Sequence, residues 1–288
     1  MKVYRNFTAA EIEAQYNLRA GRPDYETTVV PAWVEKSARA RANLNCTLDV
    51  VYGQGTKQKL DIFRSRDPGA PTLIYFHGGY WQRGDKSVYS FLAEPFTRHN
   101  VNVIIAGYDL CPTVSITRIS EEAREALAHV WRNAGDLGIS RDKLTVMGHS
   151  AGGHITAMMM GTNWPTWASD LPHDLVKAGI PVSPLNDLEP LRFTSLNDGV
   201  RMGAAEAQSQ SPMNNPPVTN APQLVVCGGC ETDEFHRQAD MYVQAFANAQ
   251  RPIERYTVPG IDHFDELNVL ADDSSTFFAK TVGLIRKQ

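Results

Sequence analysis

The chain has 288 residues, 42% of them hydrophobic, which is enough to close one large α/β core. A formal charge of −4, from 28 basic and 32 acidic residues, leaves no basic surface that would neutralise nucleic-acid phosphates. No run of about 18 apolar residues marks a membrane span, and Met1 to Asn6 lacks the apolar core of a signal peptide, so the cytoplasm is the expected compartment.

Residues 9–40 read as polar, partly helical structure with Tyr16, Tyr25 and Trp33 as anchors. Leu48 to Tyr52 and Lys59 to Phe63 alternate as a hairpin does around Gly53-Gln54-Gly55. The rhythm then changes to apolar strand followed by helix. Strands are expected at 72–76, 101–105, 143–147, 176–182, 223–227 and 253–258, and helices at 87–98, 119–134, 151–160, 234–249 and 264–285. The second helix is expected to start on a Ser120 cap, with Glu121 and Glu122 in its first turn. Such alternation predicts a mostly parallel central sheet covered by helices on both faces. No repeat or linker divides the chain, so residues 1–288 are expected as one domain, with 1–43 an N-terminal helical extension or cap.

Chemistry in open α/β sheets gathers at the carboxyl ends of the strands. The run Lys143 to Met147 ends at Gly148-His149-Ser150-Ala151-Gly152, a serine between glycines at a strand-to-helix turn. That is what a nucleophile elbow requires, because only residues with little or no side chain let strand and helix approach closely around so sharp a bend. The run Thr72 to Phe76 ends at His77-Gly78-Gly79-Tyr80-Trp81. Gly78 and Gly79, with Ala151 at the helix start, are placed to turn backbone N–H groups toward a developing oxyanion.

A serine hydroxyl needs a base, and the base needs an acid to orient it. Of the eight histidines, His263 follows the last expected strand and can reach across the strand ends to Ser150; packing or exposure accounts for the others. The acid is expected after strand 223–227, where Glu231, Asp233 and Glu234 compete. Glu231 has the offset usual for this acid, Asp233 sits where a helix N-cap belongs, and Glu234 would offset the helix dipole at the surface. Cys227 and Cys230 form a C-x-x-C without the helix start of a redox pair or the further ligands of a zinc site. Cys227 is expected to close a buried strand and Cys230 to lie in the following loop. Sequence spacing reveals no cluster of metal ligands.

His77-Gly78-Gly79-Tyr80-Trp81-Gln82, followed by Gly148 to His154, resembles the kynurenine formamidase (arylformamidase) branch of the α/β-hydrolases, related to hormone-sensitive-lipase-type esterases. The resemblance extends through Tyr108 to Pro112, Ser183 to Pro190, Glu234 to Gln238 and Gly260 to Phe264. It implies an α/β-hydrolase fold and Ser150, Glu231 and His263 as catalytic residues, with Gly78, Gly79 and Ala151 forming the oxyanion hole. Many members carry Asp where Glu231 stands. Tyr80 and Trp81 resemble the aromatic wall of the family's pocket, loop packing being the other reading. The implied activity is serine-dependent hydrolysis of an aryl formamide such as N-formylkynurenine through an acyl-enzyme. A carboxylesterase or amidase for another small acyl group, or a noncatalytic binding protein of this fold, are the alternatives. The expected partner is a small amide or ester, without nucleic acid, membrane, metal or cofactor; a homodimer is left open.

Overall fold

The computed structural model describes residues 1–67 and 69–288. Among these described residues ten strands form two sheets. β1 (Lys2–Tyr4) and β2 (Phe7–Thr8) make a small N-terminal hairpin. The main sheet contains β3 (Cys46–Val51), β4 (Lys59–Phe63), β5 (Thr72–Phe76), β6 (Asn102–Ala106), β7 (Leu144–His149), β8 (Ala178–Val182), β9 (Gln223–Gly228) and β10 (Ile253–Val258), in the spatial order β10-β9-β8-β7-β5-β6-β4-β3. The β3–β4 pair is antiparallel, as the hairpin reading requires, β4–β6 is antiparallel as well, and the other pairs of this sheet are parallel.

β5, β6 and β8 are buried along their whole length, because helices cover both faces of the sheet. Side chains alternate between two cores. Ile74, Phe76, Ile104 and Val146 face one, while Leu73, Tyr75, Val103, Ile105 and Met147 face the other. No helix among the described residues is long and apolar enough to cross a membrane.

Four expected helices differ in their boundaries, and that expected at 234–249 runs Asp233–Phe246. The helix Ile116–Arg132 begins a turn before Ser120, because Ser115 is extended and its Oγ accepts from the Arg118 N–H at 3.2 Å. Ser120 lies inside the helix, buried, and donates to Gln210 Oε1 at 2.8 Å. The stretch 264–285 is two helices, Glu266–Leu270 and Thr276–Ile285; Asp272 turns the chain back on the Ser274 N–H, and Ser275 caps the second. The stretch 87–98 divides into a tight 3₁₀ segment, Lys86–Leu92, and the helix Ala93–Arg98.

The N-terminal segment folds over the carboxyl ends of the strands. A capping box between Thr8 and Glu11 starts the helix Ala9–Tyr16, and Pro31 stands in the first turn of the helix Val30–Asn43. Tyr16 donates to Glu234 Oε2 at 2.9 Å, Thr232 to the Gln15 carbonyl at 2.8 Å, and Arg22 pairs with Asp262 and Asp265. Glu234 is therefore a buried anchor, paired with Arg237 at 2.7 Å, and not a surface residue facing the helix dipole.

Candidate active site

Ser150 stands at the apex between β7 and the helix Ala151–Met160 with φ 58° and ψ −117°, a conformation rare for a residue with a side chain. Its N–H is fixed to the Val182 carbonyl at 2.8 Å. The flanking glycines are obligatory, since a Cβ on Gly148 would lie 2.2 Å from the Gly152 carbonyl oxygen and one on Gly152 would lie 1.9 Å from that of Phe76. Gly78 lies against the elbow, where an added Cβ would sit 2.9 Å from the His149 carbonyl oxygen. Gly79 has φ +118°. Among the described residues the N–H groups of Gly78, Gly79 and Ala151 donate to no carbonyl of a loop or turn.

The loops after β9 and β10 bring Glu231 and His263 together, with Glu231 Oε2 2.7 Å from His263 Nδ1. The Glu231 carboxylate is fully shielded from solvent. Its Oε1 accepts from the Gly228 N–H at 3.0 Å and from the Ser183 hydroxyl. Burial alone would push its pKa up, but the adjacent His263 and the donors from Ser183 and Gly228 outweigh it and hold the group at about 2. The His263 ring packs against those of Phe235 and His149, at centroid distances of 4.9 and 4.4 Å. His263 and Ser150 line the same cavity but make no hydrogen bond to each other among the described residues. Contacts between a nucleophile and its base commonly tighten only when substrate arrives.

Asp233 does not reach this cluster. It is exposed at the first position of the helix Asp233–Phe246; Thr232 holds the cap position and Asp233 does not cap. Cys227 is buried, Cys230 is exposed, and both are free thiols.

The cavity over Ser150 has a volume of about 170 Å³. Tyr25, Trp33, Tyr80, Tyr89 and Phe264 give it aromatic walls, and Asn17, Leu18 and Arg19 of the N-terminal segment lie over it. Tyr80 lines this cavity, its hydroxyl tied to the Tyr16 carbonyl. Trp81 does not: its fully buried ring packs edge-on against His154 at 5.0 Å, behind the cavity wall. Adjacent residues in this turn diverge, so one faces the cavity and the next the core. Arg19 and Arg83 also line the cavity, while no Asp or Glu does among the described residues. Arg19 pairs with Glu26 at 2.7 Å, whereas Arg83 has no carboxylate within ion-pair distance among the described residues.

Sequence spacing shows no metal-ligand cluster, but the fold brings atoms of His149, His263 and Glu266 within 4.8 Å of one another. This is not an open cradle. His149 Nε2 donates to the His263 carbonyl at 2.8 Å, His263 Nδ1 is held by Glu231, and Glu266 Oε2 lies 2.8 Å from Ser183 Oγ. The chain distance between these residues hid the cluster from sequence reading, as it hid Arg83, Ser183 and the N-terminal aromatics.

The sequence profile of the alpha/beta hydrolase fold matches residues 73–264. The kynurenine formamidase of Danio rerio is 28% identical over 286 residues, 95% of each chain, and that of Salmo salar is 29% identical over 267 residues, 90% of this chain and 88% of the salmon protein. A crystal structure from Silicibacter sp. TM1040, assigned provisionally as a thioesterase, superposes with a TM-score of 0.79 at 30% identity, covering 93% of this chain and 98% of that one. An esterase from Pyrobaculum calidifontis shares the fold at a TM-score of 0.71 and 18% identity, covering 95% of this chain and 94% of its own. The chain is a hydrolase enzyme acting on small ester or amide substrates and belongs to the alpha/beta hydrolase fold family, within which it resembles the kynurenine formamidases.

Proposed function

We propose that the protein is a serine hydrolase cleaving an aryl formamide such as N-formylkynurenine, with Ser150 as nucleophile, His263 as base and Glu231 as the acid that orients it. The observation that carries this reading is the 2.7 Å Glu231–His263 pair opening onto the same cavity as the strained Ser150. Ser150 Oγ attacks the formyl carbon while its proton passes to His263. The N–H groups of Gly78, Gly79 and Ala151 receive the oxyanion. The C–N bond then breaks, His263 hands its proton to the departing amine, and the formyl group remains on Ser150 as an ester. Water repeats the attack, again giving a proton to His263, and formate leaves. Glu231 stays ionised throughout and stabilises the imidazolium.

Three features support an aryl formamide. A cavity of about 170 Å³ suits the smallest acyl group, and aromatic walls suit an aryl amine. Arg83, exposed at the cavity and free of any ion pair among the described residues, suits a leaving amine that carries a carboxylate, as N-formylkynurenine does. Similarity to the fish kynurenine formamidases over nearly the whole chain points the same way. The reading is tested by turnover of N-formylkynurenine and of p-nitrophenyl acetate by the wild type and Ser150→Ala. Serine-dependent turnover of the ester without the formamide would leave an esterase for another acyl group.

A further inference from the structure

Behind the Glu231–His263 pair lies a second carboxyl group with no lysine or arginine bonded to it among the described residues. Glu266, the first residue of the helix Glu266–Leu270, has a fully shielded side chain. Its Oε2 lies 2.8 Å from Ser183 Oγ and 3.4 Å from His149 Nε2, and its Oε1 has no hydrogen-bond partner among the described residues. The Ser183 hydroxyl also touches Glu231 Oε1. One hydroxyl therefore stands between two buried carboxyl groups.

Counting protons fixes the direction of these bonds. A serine hydroxyl has one hydrogen to give and lone pairs to receive. Glu231 is an acceptor at both oxygens, taking bonds from His263 and the Gly228 N–H, so the Ser183 hydrogen goes to Glu231. Ser183 Oγ must then accept at its contact with Glu266, and a carboxyl group donates only when it carries a proton. His149 does not replace that proton, because its Nε2 hydrogen is directed at the His263 carbonyl at 2.8 Å.

The surroundings agree. Glu266 is faced by Tyr75 from β5, His149 from β7, Cys227 and Glu231 from β9 and its loop, Arg255 from β10, and Asp262 and His263 from its own loop. Arg255 is the one fixed cation in this group, and it is engaged by Asp240 at 3.0 Å. Burial, followed by the Glu231 charge, raises the Glu266 pKa well above the carboxylate range. Ser183 has φ +45°, a strained value for a residue with a side chain, and that backbone holds its hydroxyl between the two acids.

We propose that Glu266 is a positioning residue of the catalytic acid: its carboxylic acid donates to Ser183 Oγ, Ser183 donates to Glu231, and this chain aims the Glu231 carboxylate at His263. The proposal rests on the serine-hydrolase reading for its kinetic consequence, but not for the proton on Glu266. Glutamine at 266 reproduces the donor through its amide N–H, whereas leucine removes it.

The test compares Glu266→Gln, Glu266→Leu and Ser183→Ala by kinetics and by infrared difference spectroscopy. Glu266→Gln is expected to keep most of kcat and the acid limb of the pH–rate profile. Glu266→Leu and Ser183→Ala are expected to lower kcat by about tenfold or more, the effect of loosening a hydrogen bond to a charged group, with KM little changed and the acid limb displaced. Adding Glu266→Gln to Ser183→Ala should cost nothing further, because the relay is already broken. The carbonyl stretch of a protonated carboxyl group should be present near neutral pH in the wild type and lost in Glu266→Gln. The spectrum requires no turnover, so it separates failure of this proposal from failure of the serine-hydrolase reading. A wild-type spectrum without that band overturns the proposal even if Glu266→Leu does not fold. Loss of kcat in Glu266→Gln as deep as in Ser183→Ala overturns it as well, as does an unchanged kcat and pH profile in Ser183→Ala.

Discussion

His149 Nε2 donates to the backbone carbonyl of His263 at 2.8 Å, so the residue just ahead of Ser150 holds the loop that carries the proposed base. A carbonyl can only accept, which places the His149 proton on Nε2. Burial and then the neighbouring His263 push the His149 pKa down to about 3, so the ring stays neutral and keeps the tautomer this bond needs.

Replacing His149 with Phe keeps a ring in this buried space but removes the donor. The expected result is a fall in kcat of about tenfold at nearly constant KM, because the base is held less firmly while the cavity wall survives. Steady-state kinetics on a folded variant checks it. An unchanged kcat would mean that the loop needs no such tie.

The three carboxylates after β9 now have distinct environments. Glu231→Gln keeps the shape of the side chain but loses the charge opposite His263 Nδ1, and turnover should drop by about a thousandfold or more. Asp233→Asn alters an exposed residue at the helix start and should leave kcat nearly intact. The reverse ranking would move the acid to Asp233.

Arg83→Ala should raise KM for N-formylkynurenine by about tenfold, the loss of one charge-assisted contact. Formanilide and p-nitrophenyl acetate, which carry no carboxylate, should be turned over as before. Equal losses on charged and neutral substrates would show that Arg83 shapes the cavity and does not recognise charge.

Stability should fall as the medium is acidified from pH 7. His77, His149 and His154 are buried, and burial pushes their pKa values down to about 4, 3 and 4. Below about pH 6.5 the unfolded chain takes up protons on these rings that the folded chain refuses, so their contribution is present above that pH and lost below it. Glu231, held at about 2 against an unfolded value of 4.5, adds a loss in the same direction as pH falls through that lower window. Glu266, whose pKa is raised, works the opposite way from pH 4.5 upward and offsets one of the three rings. Thermal melting should thus give a midpoint that declines between pH 6.5 and 4. A midpoint that is flat or rising on acidification would contradict neutral buried imidazoles.

The sheet and the elbow were legible because both leave a local signature. Buried strands are short apolar runs, and the backbones of Gly148 and Gly152 approach each other closely within the five residues centred on Ser150. The loops carrying Glu231 and His263 could be found because each lies between an expected strand and an expected helix. The cavity was harder, since its walls come from Tyr25, Trp33, Tyr89 and Leu196, which share no spacing in the chain. Trp81 deceived for a related reason: only the backbone turn decides which of two adjacent aromatics faces the cavity. The protonated Glu266 was beyond sequence reading, because its environment is assembled from four strands and three loops. Ser120 gave way to Ser115 because cap residues five positions apart look alike until backbone angles distinguish them.

The most direct test of the central claim is covalent capture at the elbow. The wild type should react with a serine-directed organophosphonate at one site, in the peptide that contains Ser150, with loss of formamide and ester turnover in step with labelling. Ser150→Ala should neither label nor turn over. Turnover persisting in Ser150→Ala, or a label on another serine, would contradict the account.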